Sequence, residues 1–191
     1  MNHDFVDRSQ TCEGCPLAGT SRFVSGHGHY DCPVFVVGTA PGPTEVKTGK
    51  AFSGPAGALV KQVIDSLGLN AYFTNVLKRK PDGKPTKEAC WRCGHHLIEE
   101  MKRNEALVVL ALGSVPWRFF QGTNFPGFRA KSPGVETVHG LTFDLERFGL
   151  NIKVVPTFDP SYVQRQGGLN SKIGHQWLSD LEDFVRVVKA I

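Results

Sequence analysis

One stretch of the sequence, residues 38–57, constrains the fold more than any other. It holds five glycines and three prolines, so special backbone preferences largely set its shape. An apolar run, residues 34–37, leads into it, and a helical pattern begins near Pro55. Strand, glycine-rich loop and helix in that order are typical of α/β sheets, which bind ligands beyond the carboxyl ends of their strands. Because long loops are usually functional or disordered, we interpret this one as a pocket wall with an acid, Glu45, and a ring, Phe52; the alternative is a plain surface loop.

The rest of the chain alternates strand and helix patterns. Apolar runs predict strands at 72–77, 107–113 and 152–156, and apolar residues at helical spacing predict helices at 56–67, 86–103 and 173–188. A short helix capped by Ser114 and a hairpin within 135–148 complete the pattern. Alternating strands and helices favour a parallel sheet. We therefore predict an α/β fold, a three-layer α/β/α sandwich with a central, largely parallel four-stranded sheet, and one domain spanning residues 1–191.

Charge and hydropathy limit the partners only loosely. The chain has 22 Lys and Arg against 18 Asp and Glu, a formal net charge of +4, which is compatible with a phosphate backbone as partner. No apolar run approaches the ~20 residues that a membrane-spanning helix needs. The first residues lack a basic region followed by an apolar one. We therefore expect a cytoplasmic monomer with no membrane partner.

Four of the five cysteines form two matched pairs. Cys12 and Cys15 make one Cys-x-x-Cys, and Cys90 and Cys93 make the other at the start of a predicted helix. In a cytosolic chain such pairs favour a metal site over disulfides. The spacing leaves zinc and an iron–sulfur cluster open, and it also leaves open that one pair is incidental. Cys32 begins a strand and is expected to be a buried apolar residue.

Loops after the predicted strands carry the remaining candidates. Because parallel strands end at one edge of a sheet, Glu45, Phe52, Asn75 and Asp159 are expected to converge there. A ring can stack a planar base, and an Asn amide offers both a donor and an acceptor to the base edge. Carboxylates can hold a water or stabilise a cationic sugar, as in glycoside hydrolysis. The residues predicted to hold phosphates are Lys78 with the rest of the loop 78–84, Arg129, Lys131 and Arg165.

These residues stand in motifs that resemble the uracil-DNA glycosylase superfamily, most closely its iron–sulfur branch, family 4. The resemblance covers nearly the whole chain. Its motifs are Cys-x-x-Cys-Pro-Leu at 12–17, Gly-x-Ala-Pro-Gly at 38–42, Lys-Thr-Gly-Lys-Ala-Phe-Ser-Gly-Pro-Ala-Gly at 47–57, Thr-Asn-Val-Leu-Lys at 74–78, Ala-Leu-Gly at 111–113 and Pro-Ser-Tyr at 160–162. Taken together, these motifs are specific.

The resemblance implies an enzyme that flips a deaminated base out of DNA and hydrolyses its N-glycosidic bond in base-excision repair. Phe52 would stack the base and Asn75 would hydrogen-bond its edge, while the segment 160–165 would enter the minor groove. The implied substrate-binding residues are Ala40, Gly42, Phe52 and Asn75, and the implied contacts with single- or double-stranded DNA are Lys78, Ser161, Tyr162 and Arg165. The four paired cysteines would ligate a [4Fe–4S] cluster, with residues 1–32 as the cluster-binding segment.

Three positions depart from the family pattern. Thr39 stands where the family usually has Glu, and Asp159 stands where it usually has His before Pro-Ser. Arg79 occupies the usual place of the third cluster cysteine, so we predict that Cys93 substitutes for it, with His95 and His96 as weaker candidates. We expect an active glycosylase with altered water activation or base choice. Its catalytic candidates are Glu45, Asp159 and Thr39.

Two other functions stay open at this level. One is a non-catalytic module that binds DNA or a modified base on a glycosylase scaffold. The other is an interaction protein that carries a zinc ribbon, in which case the cysteines would hold zinc.

Overall fold

The computed structural model describes residue 12 and residues 14–29, 31–123 and 133–191. Two of the predicted phosphate contacts, Arg129 and Lys131, lie outside the described residues. Within the described ranges, no helix is long and apolar enough to cross a membrane.

A single mixed sheet runs through the described part of the chain. Its strands are β1 (His27–Gly28), β2 (Val34–Gly38), β3 (Tyr72–Asn75), β4 (Val108–Leu112), β5 (Phe143–Arg147) and β6 (Leu150–Thr157). Their spatial order is β1-β3-β2-β4-β6-β5. The four inner strands are parallel, and β1 and β5 join the two edges in antiparallel orientation. The four predicted strands are therefore the inner ones, and the described sheet has six strands rather than four.

Helices cover both faces of this sheet. They are α1 (Pro43–Thr48), α2 (Pro55–Ser66), α3 (Lys87–Arg103), α4 (Ser114–Gln121), α5 (Val135–Val138), α6 (Pro160–Arg165) and α7 (Lys172–Lys189), with a 3-10 turn at Gly168–Asn170. Alternate residues of β2 point to opposite sides. Phe35 packs in one apolar cluster with α3 and α4, whereas Val36 packs in another with α2, α6 and α7. The predicted three-layer α/β/α sandwich is confirmed.

The sequence predicted the N-cap residue of α3 correctly and that of α4 less accurately. Thr86 caps α3 as predicted, because its Oγ1 accepts a hydrogen bond of 3.1 Å from the backbone N of Ala89. The prediction for Ser114 was off by one residue, since Gly113 is the N-cap and Ser114 is the first residue of α4.

Two stretches differ from the sequence prediction. The loop after β2 contains α1, which starts at a proline, a residue suited to the first turn of a helix, and ends at Gly49 with a φ of 73°. The predicted hairpin within 135–148 was misplaced: β5 pairs with β6, and residues 135–138 form the helix α5. The weak alternation of polar and apolar residues there did not fix the strand ends.

Candidate active site

The parallel strands bring Phe52 and Asn75 together around Gly38. Gly38 ends β2 and is paired with Asn75 at the end of β3. A Cβ atom added to Gly38 would lie 2.5 Å from Oδ1 of Asn75 and 3.1 Å from Cζ of Phe52. The amide and the ring therefore approach the same backbone position, and a residue with a side chain there would displace them.

Phe52 is held in an unusual backbone conformation. Its φ is 57°, in the left-handed region that few residues with a side chain adopt and that occurs often at functional sites. The ring is buried, with its centroid 5.5 Å from that of Phe73. Gly57 at the start of α2 packs directly against Phe52, since a Cβ added there would lie 2.4 Å from the Cα of Phe52. The start of the helix thus fixes the position of the ring.

Asn75 keeps the hydrogen-bonding capacity of its side chain. It is 5% exposed, and no described residue forms a hydrogen bond with its side-chain amide. Its backbone carbonyl, in contrast, accepts a hydrogen bond of 2.9 Å from Nζ of Lys78. An amide with a spare donor and a spare acceptor at the sheet edge is suited to the edge of a nucleobase.

Glu45 uses both carboxylate oxygens inside the loop. Oε1 accepts a hydrogen bond of 2.8 Å from the backbone N of Gly54, and Oε2 accepts one of 3.0 Å from that of Gly42. The side chain is buried. Glu45 therefore ties the start of α1 to the segment that precedes α2, and this arrangement favours a structural role over the water activation predicted for it.

Asp159 and Thr39 present the spare oxygens at this edge. Oδ1 of Asp159 caps α6 by accepting hydrogen bonds from the backbone N of Ser161, at 2.9 Å, and from its hydroxyl. No described residue donates to Oδ2 of Asp159 or hydrogen-bonds the hydroxyl of Thr39. Gly113 leaves room for the acid, since a Cβ there would lie 3.1 Å from the Cβ of Asp159. Both side chains are half-buried, so water can reach them.

The predicted DNA contacts on α6 are accessible. Tyr162 is 37% exposed, and its ring lies 5.9 Å from that of Phe158. Arg165 is exposed, and its Nη1 donates to Oγ of Ser161 at 3.3 Å. Ala40, in the loop beyond β2, is half-buried. Only two residues separate this helix from the end of β6, so it lies at the same edge of the sheet as Asn75.

The side chain of Lys78 is not on the surface, so in this structure it is not available for the predicted contact with DNA. The side chain is 0% exposed. Its Nζ donates to Oε2 of Glu100 at 2.7 Å and to Oγ1 of Thr74 at 2.5 Å. The sequence analysis missed Glu100, whose only signal was a carboxylate between Leu97 and Met101 on the buried face of α3.

Three of the four paired cysteines line one cavity. A cavity of about 180 Å³ is lined by Cys12, Cys15, Trp91, Arg92, Cys93, His95 and His96. Cys90 lies one helical turn before Cys93 on α3, and both thiols are buried. None of the five cysteines forms a disulfide. Cys32, as expected, is buried apart from them, in the apolar cluster on the opposite face of the sheet.

The thiols around this space are ligands that both zinc and iron–sulfur clusters use. Among the described residues, no three Cys, His, Asp or Glu side chains converge as ligands of one metal ion. Cys12, Cys15 and Cys93 share the lining of this space with His95 and His96, so thiol and imidazole donors lie side by side. The backbone N of Lys78 donates to Sγ of Cys93 at 3.0 Å, the kind of hydrogen bond that tunes cluster ligands.

Burial raises the pKa of the Cys90 and Cys93 thiols to about 11 each. For Cys93 the backbone N–H and the ammonium of Lys78 oppose this rise. Both cysteines therefore favour the thiol in the absence of a metal, and binding a metal would displace their protons.

Arg79 occupies the place of the missing family cysteine without taking part in the cavity. The residue is buried, and its guanidinium donates to the carbonyl of Ser21 and lies 5.8 Å from the ring of Phe23. Its Nε is buried with no hydrogen-bond partner among the described residues. Arg79 packs the segment before β1 against the end of β3.

Comparison with known proteins identifies the family. The sequence profile of the uracil DNA glycosylase superfamily matches residues 25–182. The chain belongs to this superfamily. The match includes the strands, the Gly38 edge and α6, and the family predicted from the motifs is confirmed.

Two of its relatives are named type-4 uracil-DNA glycosylases. The protein from Thermotoga maritima is 33% identical over 189 residues, which cover 96% of this chain and 92% of the relative. The protein from Archaeoglobus fulgidus is 31% identical over 166 residues, 84% of this chain and 81% of the relative. A type-5 uracil-DNA glycosylase from Pyrobaculum aerophilum is 28% identical over 151 residues, 60% of this chain and 67% of the relative.

Proposed function

We propose that this protein is a DNA glycosylase that hydrolyses the N-glycosidic bond of a flipped-out uracil or other deaminated or modified base in base-excision repair. The observation that carries the proposal is the approach of the Phe52 ring and the Asn75 amide to the same backbone position, Gly38. A ring beside an amide with a spare donor and acceptor offers a flipped base both stacking and edge recognition. The family and its named relatives support the same reaction class.

Recognition of the base precedes the chemistry. In the proposed complex the base leaves the duplex, stacks on Phe52 and hydrogen-bonds through its edge to Asn75. Ala40 and Gly42 line the loop beside it and leave room because they carry little or no side chain. Glu45 keeps this loop closed through its two backbone hydrogen bonds.

Bond cleavage then needs one water and a place for charge. The N-glycosidic bond breaks, its electron pair leaves with the base, and the sugar becomes an oxocarbenium cation, as in other glycoside hydrolyses. We propose that Oδ2 of Asp159 stabilises this cation and accepts a hydrogen bond from the water that attacks C1′. As the new C–O bond forms, the water gives up a proton to this carboxylate or to the leaving base. Thr39 orients the water but is too weak a base to deprotonate it.

Contacts with DNA involve the exposed helix α6. Tyr162 would fill the space left by the extruded nucleotide, and Arg165 and Ser161 would contact the adjacent phosphates, since such contacts fix the register of a protein on DNA. We expect a monomer to suffice.

The cysteine cavity would hold a [4Fe–4S] cluster through Cys12, Cys15, Cys90 and Cys93. The cluster would stabilise the fold and position the DNA-binding surface rather than react. Residues 1–32 would then be the cluster-binding segment of one domain spanning residues 1–191. The cavity and its thiols support this assignment. Brown protein with a broad absorbance near 400 nm would support it, whereas colourless protein with bound zinc would overturn it.

The reaction is tested by a gel assay for alkali-labile abasic sites. Single- and double-stranded oligonucleotides would each carry one uracil, hypoxanthine, xanthine or modified pyrimidine. We expect cleavage of at least one of these substrates, and less with Asn75→Ala and Phe52→Ala. Absence of abasic product from every base would refute the enzymatic proposal.

A second candidate function is a non-catalytic module that binds DNA or a modified base. It is favoured by the replacement of the family's usual Glu and His by Thr39 and Asp159. This alternative predicts salt-dependent DNA binding, with preference for the modified base and no release of it.

A further inference from the structure

Lys78 contacts both the cysteine cavity and the base-recognition edge. Its backbone N donates to Sγ of Cys93 at 3.0 Å. Its side-chain Nζ donates to the backbone carbonyl of Asn75 at 2.9 Å. Lys78 therefore forms hydrogen bonds both with Cys93, a proposed cluster ligand, and with Asn75, the residue proposed to recognise the base.

Glu100 completes this connection from α3. Its Oε2 accepts hydrogen bonds from Nζ of Lys78 at 2.7 Å and from Oγ1 of Thr74 at 2.6 Å, and its Oε1 accepts one from the backbone N of Gly26 at 3.0 Å. Cys93 and Glu100 are seven residues apart, two turns of one helix, so they share a face of α3. A single helix face thus holds the cysteine cavity, the end of β3 and the segment that enters β1.

The burial of this pair makes the connection rigid. The ammonium of Lys78 is fully enclosed and donates three hydrogen bonds, its full complement. A buried charge that loses its partner is strongly destabilising, so the ammonium has little freedom to move away from Glu100. The backbone carbonyl of Asn75 accepts one of these hydrogen bonds. The side chain of Asn75 branches from the Cα atom next to that carbonyl. Fixing the carbonyl therefore limits where the amide can point.

We propose that Lys78 and Glu100 are positioning residues that transmit the state of the cysteine site to Asn75, so that base recognition depends on an occupied cysteine site. This inference rests on the proposed function. It assigns Lys78 and Glu100 no contact with substrate. Their effect is on the geometry with which Asn75 meets the base edge.

The test uses the full-length, metal-loaded protein and four variants. Lys78→Met and Glu100→Gln each leave one member of the pair without its partner and should lower the melting temperature. The double variant Lys78→Met/Glu100→Gln removes both charges and should recover much of that loss, because removing a whole buried pair is often close to neutral. Lys153→Met is the matched control, since the ion pair that Lys153 forms with Asp144 is exposed.

Base discrimination is the first measurement. It is the ratio of affinities for oligonucleotides with and without the target base. We expect the double variant to lose roughly tenfold or more in this ratio, the effect of about one hydrogen bond, while its affinity for unmodified DNA stays at the wild-type value. Lys153→Met should keep the wild-type discrimination ratio and the wild-type affinity for unmodified DNA. A folded double variant with wild-type discrimination would overturn the positioning role.

Hydrogen exchange of the backbone amides at residues 74–78 is the second measurement. We expect faster exchange there in the double variant, and also in wild-type protein stripped of metal by a chelator. Unchanged exchange after chelation would overturn the coupling between the cysteine site and Asn75. If wild-type protein neither releases nor prefers any base, the proposed function fails, and the exchange data still decide whether the coupling exists.

Discussion

At the scale of single residues, carboxylates that look alike in sequence have different roles. Glu45 places its two oxygens on the backbone N–H groups of Gly54 and Gly42. Asp159 uses only Oδ1 to cap α6, and no described residue donates a hydrogen bond to its Oδ2. This difference is the basis for the proposed roles, loop closure for Glu45 and chemistry for Asp159.

Changing Glu45→Gln should therefore affect stability first. One backbone N–H would face an amide NH₂ in place of an oxygen, which costs about 1–3 kcal/mol for a buried donor. Urea unfolding measures the change. Glu88→Gln is the control, because its exposed pairing with Arg92 is worth less than about 1 kcal/mol. Equal stability of Glu45→Gln and wild type would contradict the loop-closing role.

Changing Asp159→Asn should affect the reaction and not the fold. Asn is as good an N-cap as Asp, so α6 and the melting temperature should be retained. The amide cannot take up a proton or stabilise a cation as a carboxylate does. We expect single-turnover base release to slow by about a hundredfold or more. An unchanged rate would show that the carboxylate has no chemical role.

At the scale of elements, the contact between α2 and the loop that carries Phe52 positions the stacking ring. Gly57→Ala would place a methyl group against the Phe52 backbone, which should lower the free energy of unfolding by about 1–3 kcal/mol and raise KM. Gly83→Ala is the control, since nothing lies within 4 Å of a Cβ there. Equal effects of the two changes would contradict this packing role.

A second element contact, between α7 and the end of β6, should depend on pH. Burial raises the pKa of Asp180, although the Thr157 hydroxyl and the His139 ring, both hydrogen-bonded to it, oppose the rise. The folded chain therefore holds this proton more tightly than the unfolded chain, so wild-type stability falls as pH rises through the raised pKa. The Asp180→Asn variant has no carboxyl group here to deprotonate, so its stability should not fall in this way.

The free energy of unfolding of wild type, measured relative to that of Asp180→Asn, should thus fall as the pH rises above the ordinary pKa of an aspartate, about 4. Urea unfolding at several pH values measures it. Asp144→Asn, in the exposed pair with Lys153, should show little such trend. If the stability of wild type relative to Asp180→Asn instead rose with pH, the raised pKa of Asp180 would be contradicted.

At the scale of the whole molecule, the cysteine cavity joins the N-terminal segment to α3. Cys93→Ala should abolish metal binding and lower the melting temperature by at least about 5 °C, since a tightly bound ligand adds several kcal/mol. Cys32→Ala should retain the metal and its absorbance, because Cys32 packs on the other face of the sheet. Metal loss from both variants, or from neither, would contradict the proposed set of cysteine ligands.

The sequence predicted the inner strands of the sheet better than its two edge strands. The inner strands are continuous apolar runs, which is what burial on both faces requires. The edge strand β1 has two residues, and β5 is half-exposed, so neither leaves a strong pattern. Asn75 and Phe52 could be placed because Asn75 ends a predicted strand and Phe52 lies within the glycine-rich loop.

The connections beneath the site were not predictable. Lysines are rarely buried, and nothing in the local sequence pairs Lys78 with Glu100, 22 residues away on α3. The two hydrogen bonds of Glu45 depend on how the loop closes around α1. Such contacts follow from packing in three dimensions and leave no periodic signal in the chain.

One measurement tests the central claim, that the Gly38 edge is a base-excision site, most directly. Wild-type protein and Asn75→Ala would be incubated with an oligonucleotide that carries one uracil, and released free uracil would be quantified by mass spectrometry. The account predicts free base and an abasic strand from wild type, with the yield strongly reduced in Asn75→Ala and unchanged in Lys153→Met. Equal release by wild type and a folded Asn75→Ala would contradict it.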